Sequence, residues 1–490
     1  PIALVKVRYG PQNPSTAVSP AMAPPPGEAD DHPVTPAGRL FLRPEMNQII
    51  NCALGVANPP DLDAARSLLA GSLLIAHPRF RSLLVRDRRG REHWRRTEVD
   101  IERHIVDVAD GVSAHAADSE QAVNDYLADL AVSSPLTTDK PLWEIHLLRP
   151  HRCVILRVHH ALGDGISLMS MFLASCRRLD DPTRPPTIGP PGGGSGGDKG
   201  RGVLTKLWLL MRVVWFTVVY AVEFVGRSLW VSDRKTAVSG GAGVELWPRK
   251  LATAKFKVDD LKSVKRALPG LTINDVVLGV ISYGLSAYLE HRSPKGLKQG
   301  LRMTGVAMVN LRKQPGLHDL AELVKSESGP KWGNKFGMFL LPVFYHKTTG
   351  AADPLVFLKT AKSMIDRKKL SLEAQLSYKL GDLVMSCLGP KAALLLNYRI
   401  LCNTTFTFSN VIGPQEEIAL TGNPVTYIRA NTCSLPHAIT MHMVSYAGRA
   451  DMQILAAKDI VPDPQFLARC FEDALMEFKE AVRLPPTQPT

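Results

Sequence analysis

The sequence predicts an α+β protein of layered helices and strands, on three observations. Strand-like, β-branched runs alternate with amphipathic helices and hairpins through most of the 490 residues. No GxGxxG fingerprint accompanies any of these strands, which argues against a Rossmann sheet. A Pro-, Gly- and Ser-rich stretch at 181–202, including Gly192-Gly-Gly-Ser-Gly-Gly197, reads as a flexible linker between two parts, each long enough to bury a core.

The elements follow from local pattern. Residues 1–33 are Pro-rich and polar, and are expected to be a disordered N-terminal segment. A first domain is expected over 34–180. Leu62 to Ala76 carries helical periodicity, and the arginine-rich run Arg79 to Arg96 reads as a hairpin turning at Asp87 to Gly90. Ser119 to Ala131 reads as a helix with Leu127 and Leu130 on its apolar side, Trp143 to Leu148 and 153 to 158 as strands, and Ile166 to Cys176 as a helix. A second domain is expected over 243–485. It opens with a strand at Lys255 to Val258 and a helix over 259–267, then a helix capped by Thr272 with Asn274 and Asp275 in its first turn. An acidic side chain there stabilises the helix dipole, so structure explains Asp275 as well as function does. Thr404 to Val411 reads as a strand and Ser409 to Pro414 as a turn at its end. His437 and His442 sit on strand-like stretches and read as structural, and a final helix starts at Asp463-Pro464 and runs to Val482.

Between the domains, Val203 to Trp230 is dense in Leu, Val, Trp and Phe yet carries Lys206, Arg212, Glu223 and Arg227. On a helix these four charges fall within an arc of about 120°. The pattern predicts a membrane-associated helix with its charges toward water and Leu204, Met211, Trp215, Val218 and Val222 toward lipid, with Glu223 and Arg227 paired across a turn. A tilted transmembrane span and a helix packed on the protein are the other readings of 203–230.

The chemistry points to Val154-Ile-Leu-Arg-Val-His-His-Ala-Leu-Gly-Asp-Gly-Ile166, where a buried strand hands over to a helix. Side chains alternate along a strand, so His159 and His160 face opposite ways and one imidazole faces a given channel. A neutral imidazole titrates near neutrality and takes a proton from an attacking hydroxyl, thiol or amine without help from Ser, Cys or a metal. Asp164 can orient the loop, and Gly163 and Gly165 permit a tight turn. Two strand-end histidines and an Asp-Gly turn are individually ordinary; their combination at one junction favours catalysis.

His159 to Gly165 also matches HHxxxDG, and the segment resembles the CoA-dependent acyltransferase superfamily. Pro141-Leu-Trp-Glu144, Asn274-Asp275, Val309-Asn-Leu-Arg312, Trp332-Gly-Asn-Lys-Phe-Gly337 and Ser409-Asn-Val-Ile-Gly-Pro414 resemble motifs of the plant-type wax ester synthase / diacylglycerol acyltransferases, in the same order, from about 34 to 485. The resemblance implies an α/β sandwich, with two chloramphenicol-acetyltransferase-like domains around a central substrate channel. It implies His160 as general base, with His159, Asp164 and Gly165 shaping its loop, and Asn274, Asp275, Ser409, Asn410, Gly413 and Pro414 lining or supporting the channel. It further implies acyl-CoA as co-substrate with no permanent cofactor and no metal, a fatty alcohol or diacylglycerol as acceptor, and attachment to the endoplasmic reticulum membrane or the plasma membrane with a cytosolic active site. Ile412 stands where many relatives have Pro. A hydroxycinnamoyl-type acyltransferase would carry Asp-Phe-Gly-Trp-Gly, which is absent, and a peptide-synthetase condensation domain would adjoin carrier and adenylation domains. A catalytically silent lipid-binding or scaffolding protein is the alternative of a different class.

Composition is consistent with this. The formal charge is +13, partly concentrated between Arg79 and Arg96, where the arginines read most simply as a solvated face and next as a surface attracting anionic lipid head groups or CoA phosphates. No zinc spacing or basic recognition helix accompanies it, which argues against nucleic acid as a partner. The seven cysteines are odd in number and scattered without CxxC, and so read as reduced and structural.

Overall fold

A computed structural model describes residues 31–108, 118–188, 202–293, 296–311, 334–348 and 353–483. The bulk of the expected N-terminal segment, the glycine-rich part of the linker, Arg312, Trp332 and Gly333 lie outside the described residues. The expected flexible edges are nonetheless shorter than drawn. His32–Pro33 (β1) pairs with Trp94 and His93, and the Thr187 N–H donates to Glu416 Oε2 at 3.1 Å. Both segments are held by partners distant in sequence.

The first half begins with the helix Pro36–Phe41 (α1), then strand Ile49–Val56 (β2). The expected helix over 62–76 is two: Leu62–Ala70 (α2) and Leu73–Ala76 (α3). Ser72 breaks it, its hydroxyl donating to Leu69 O and accepting from Ile75 N, which restarts the helix in a new direction. Ser82–Arg86 (β3) and Glu92–Arg96 (β4) form the arginine hairpin, with Gly90 at φ 72° in its turn. Ile105–Asp107 (β5), Ser119–Ser133 (α4), Trp143–Leu148 (β6) and Cys153–His159 (β7) follow, then Gly165–Ala174 (α5) and Arg177–Arg178 (β8).

After the long helix Val203–Leu229 (α6) come Arg249–Lys257 (β9), Val258–Ala267 (α7) and Ile273–Arg292 (α8). Arg302–Asn310 (β10), Phe336–Phe344 (β11), and the helices Leu355–Lys369 (α9), Glu373–Cys387 (α10) and Gly389–Cys402 (α11) lead to Phe406–Ile412 (β12). Ile418–Leu420 (β13), Asn423–Thr432 (β14), Ile439–Tyr446 (β15), Arg449–Ala457 (β16) and Pro464–Ala481 (α12) complete the order.

These strands form two large sheets, β5-β6-β7-β2-β14-β13-β8 and β11-β10-β12-β15-β16-β9, beside the small sheet β1-β4-β3. The halves are not separate in strand membership, because β13 and β14 leave the C-terminal half to pair in the first sheet. A buried ion pair ties the crossing down: Arg429 on β14 meets Asp451 on β16 at 2.8 Å. The second core is built on α8 and α12, where Val277, Ile281, Leu285, Phe471 and Phe478 pack against the six-stranded sheet.

The helix α6 departs from the expected arrangement at one end of its polar arc, where Glu223 and Arg227 dock on the protein beside α10 and α11, while Arg212 lies over the helix's own Trp208 and Phe216 rings. Arg227 is 3% exposed, pairs with Asp233 at 2.8 Å and donates to Asn403 O at 2.8 Å. Glu223 reaches both Arg302 and Arg227, the expected turn partner, at 3.5 Å for the latter. The Lys368 ammonium sits 3.5 Å from the Tyr220 ring centroid. Lys206, near the start of the helix, remains exposed. The residues expected to meet lipid all point outward: Leu204, Met211, Trp215, Val218 and Val222 are 53–83% exposed. Buried charge finds partners on the protein, and the apolar remainder is left uncovered.

Candidate active site

The two large sheets meet over a cavity of about 240 Å³. The first sheet supplies Ile50, Cys52, Leu156 and Val158, the second supplies Met308, Asn310, Ser409 and His442, and His160 stands between them. Most of the wall is apolar, and a low local dielectric strengthens each polar interaction inside.

His160 follows β7, and its N–H extends the ladder to Gln48 O at 2.8 Å. Its side chain is fixed by a residue far away in sequence. Asn334 Nδ2 donates to His160 O at 2.7 Å, which turns the amide so that Oδ1 accepts from His160 Nδ1 at 3.1 Å. With the proton on Nδ1, Nε2 is the basic nitrogen. Phe41 packs against the ring with centroids 4.5 Å apart. Burial holds the imidazole below the usual histidine range, and the Asp164 charge only partly offsets this. The ring is therefore neutral at physiological pH, the state in which an imidazole nitrogen can accept a proton.

His159 is bound quite differently. Its Nδ1 accepts from the Ala161 N–H at 3.1 Å, so its Nε2 donates to Asn47 Oδ1 at 2.9 Å. Burial drives its pKa down to about 3. Both nitrogens are engaged, and the ring acts as a strut beneath the loop. Asp164 caps α5, accepting from Ser167 N at 3.0 Å, and its other oxygen lies 3.5 Å from Lys335 N. It thus joins the His160 loop to the segment carrying Asn334.

Of the remaining predicted site residues, Ser409, Asn410 and Gly165 line the cavity. Asn410 Nδ2 donates to Asn274 Oδ1 at 2.9 Å, so Asn274 supports the wall from outside. Asp275 closes a capping box with Thr272 and is fully buried, a structural role more specific than the dipole stabilisation expected of it. Gly413 and Pro414 lie away from the cavity. Gly413 is pressed on Ser445, where a Cβ would stand 2.2 Å from the carbonyl oxygen. Ser409 to Ile412 belong to β12, so the expected turn begins only at Gly413, because the strand pairs with β15 through to Ser445. Neither Gly163 nor Gly165 has positive φ, so the loop does not depend on glycine for its backbone shape. A Cβ on Gly165 would meet only Val411, at 3.8 Å.

Three residues escaped the sequence reading and a fourth, His442, was assigned another role. Asn334 lies within the motif 332–337, but nothing local revealed which of its residues meets histidine. Asn47 and Phe41 belong to a segment without periodicity. His442, read as structural, lines the cavity beside His160; its Nδ1 has no partner among the described residues, and burial lowers its pKa to about 4. His437 does fit a structural role, bonded at both nitrogens by Thr404 and Thr407.

The Wax ester synthase/diacylglycerol acyltransferase catalytic domain matches residues 51–277, and the WS/DGAT C-terminal domain matches residues 332–479. Wax ester synthase/diacylglycerol acyltransferases 11 and 5 of Arabidopsis thaliana are 35% and 34% identical to this chain; the alignments cover 92% and 93% of it and 96% and 95% of theirs. Among solved structures, the wax ester synthase/diacylglycerol acyltransferase from Marinobacter aquaeolei VT8 has a TM-score of 0.57 at 18% identity, over 92% of this chain and 100% of that one. The first condensation domain of the CDA synthetase has a TM-score of 0.56 at 14% identity, over 93% and 97%. These structures establish the fold alone: the two-domain α/β sandwich shared by condensation domains and chloramphenicol-acetyltransferase-like enzymes.

The sequence matches go further. The chain belongs to the wax ester synthase/diacylglycerol acyltransferase family, and carries both of its domains. It is an acyl-CoA-dependent O-acyltransferase that transfers an acyl group to an alcohol or diacylglycerol.

Proposed function

We propose that His160 is the general base of this reaction. Its Nε2 takes the hydroxyl proton of a long-chain alcohol or diacylglycerol as the oxygen bonds to the thioester carbonyl carbon. The tetrahedral oxyanion then collapses, the C–S bond breaks, and the imidazolium returns the proton to the departing CoA sulfur. The products are an ester and free CoA. The observation that carries this reading is the Asn334 clamp, which places the Nδ1 proton and so leaves Nε2 basic inside the cavity. His159 and Asp164 position the loop, Gly165 leaves space beside the base, and Ser409, Asn410 and Asn274 shape the opposite wall. A cavity between two sheets brings donor and acceptor together as an oriented pair.

Residues 203–230 are assigned to docking on a membrane, between an acyltransferase domain over 34–180, with its linker at 181–202, and one over 243–485. Support comes from α6, the one helix among the described residues long and apolar enough to cross a bilayer, whose apolar side is uncovered. Trp208, Trp215 and Trp230 are all more than half exposed, and aromatic rings of this kind favour the lipid–water boundary. An acceptor dissolved in the membrane then reaches the enzyme without crossing water. The endoplasmic reticulum membrane, with the site facing cytosolic acyl-CoA, fits these demands; the plasma membrane is the second location.

The test is to incubate the protein with membranes, labelled palmitoyl-CoA and either hexadecanol or diacylglycerol, beside folded His160→Ala. Ester formed by the wild type and lost in the variant is the expected result, and it names the acceptor. Undiminished ester formation by the variant would remove His160 from the mechanism. Absence of product from both acceptors with folded protein would point to a different acceptor or to the silent lipid-binding alternative.

A further inference from the structure

We infer that a second cavity, under α2 on the first sheet, is the subsite for the far end of a substrate's hydrocarbon tail. This inference rests on the acyl transfer proposed at His160. The second cavity holds about 310 Å³ and is walled by α2, α3 and α5 and by the loop 420–423. No part of the chemistry described above uses it.

Two observations connect it to the catalytic cavity. The first is the floor. β2 and β7 pair with Ile50 opposite Val158, Cys52 opposite Leu156 and Leu54 opposite Val154. Alternate residues share a face of a strand, so these pairs form one continuous apolar strip that starts at His160. The upper pairs floor the catalytic cavity and the lower ones floor the second. From His160 to Val154 the strip runs six residues, about 20 Å at the strand rise, a reach suited to an extended long-chain acyl or alkyl group. The second observation is the partition: Leu156 on the floor and Phe172 on α5 line both cavities, so they alone of the lining residues stand where one space gives way to the other.

Volume gives the reason for a second chamber. A cavity of about 150 Å³ takes a molecule the size of benzene. The catalytic cavity, at about 240 Å³, is too small for the two long tails of a wax ester. A tail laid along the strip and past Phe172 reaches space that is already apolar, with Leu69, Leu74 and Leu147 on its walls. Tail length is then read by how much of the second cavity is filled.

The experiment fills that cavity from a side remote from His160. Ala65→Phe projects a ring from α2, and Ala64→Phe, from the adjacent position, supplies a second reading should the first not fold. Phe172→Trp narrows the passage itself. In one arm the ratio of kcat/KM for palmitoyl-CoA over octanoyl-CoA is measured with octanol as acceptor. In the other, the ratio for hexadecanol over octanol is measured with octanoyl-CoA as donor. The expected result is a fall of about tenfold or more in one ratio, in Phe172→Trp and in whichever α2 variants fold. The arm that falls says whether the tail belongs to the acyl group or the alcohol. Unchanged ratios in both arms with folded variants would overturn the inference. Absence of ester from the wild type in either arm would instead overturn the acyl-transfer reading on which it rests.

Discussion

The strand–helix junction at His160 and the helix α6 solve the same problem with opposite curvature. At the junction, apolar walls close inward on a few polar groups, each held by a specific partner: Asn334 on His160, Asn47 on His159, Ser167 N on Asp164. On α6, Glu223 and Arg227 turn toward the protein and find Arg302, Asp233 and Asn403, and the apolar side is left facing outward. One region encloses a hydrocarbon-compatible space and the other presents a hydrocarbon-compatible surface. In both, protein partners absorb the polarity, because an unpaired buried charge or amide is costly. An amphipathic pattern therefore tells which residues share a face, but not which face meets the protein.

The largest test of this comparison separates the adjacent histidines. His160→Ala should lower acyl transfer by about 10²- to 10⁴-fold in a protein that still folds, with a stability loss of only about 1 kcal/mol from the freed Asn334 amide. His159→Ala should instead remove a strut, destabilising the fold by about 1–3 kcal/mol and leaving Asn47 without its partner. Thermal unfolding measured beside ester formation distinguishes them. Equal activity losses at equal stability would mean that the two rings share one role.

On the convex side, Arg227→Ala should cost about 3–5 kcal/mol in denaturant unfolding, because Asp233 is left buried without its cation. Trp215→Gln, at a site 66% exposed, should leave stability within about 0.5 kcal/mol and weaken binding to anionic lipid vesicles. If Arg227→Ala is as benign as Trp215→Gln, the polar arc does not dock the helix.

Several histidines set a pH dependence of stability. Burial depresses His159 and His437 to about 3 and His442 to about 4, so the folded chain holds them neutral. The unfolded chain takes up protons below about pH 6.5, where the folded one does not. Stability should therefore be full above about pH 7 and fall progressively as pH drops toward 4. Denaturant midpoints across this range measure it, and a flat profile would contradict the neutral assignment.

How legible these regions were in the sequence follows from the range of the forces involved. The HHxxxDG junction was readable because strand, turn and helix are contiguous, and Asp164 acts within three residues on Ser167. Thr272 was readable as a cap and Asp275 as a first-turn acid for the same reason, and the two close a capping box. Asn334, 174 residues from His160, was not, since no local period encodes a pairing between sheets. The sense of α6 was lost for a related reason: Glu223 and Arg227 look like a solvent-facing pair until Arg302 and Asp233 arrive from elsewhere in the chain. The crossing of β14 into the first sheet, fixed by Arg429 and Asp451, is likewise a long-range choice.

The finest distinction concerns the Asn334 clamp itself. Asn334→Asp keeps an acceptor at His160 Nδ1 and so preserves the tautomer, but puts a negative charge beside the ring. A carboxylate favours imidazolium and raises the pKa of His160, opposing the depression caused by burial. The acid limb of the kcat/KM–pH profile should lie below the ordinary histidine range in the wild type and move up by about 1 unit or more in Asn334→Asp. Asn334→Leu removes the acceptor as well, and should lower activity across the whole profile instead of displacing it. A limb that stays in place in Asn334→Asp would show that the titrating group is not His160, and would shift attention to His442 on the facing sheet.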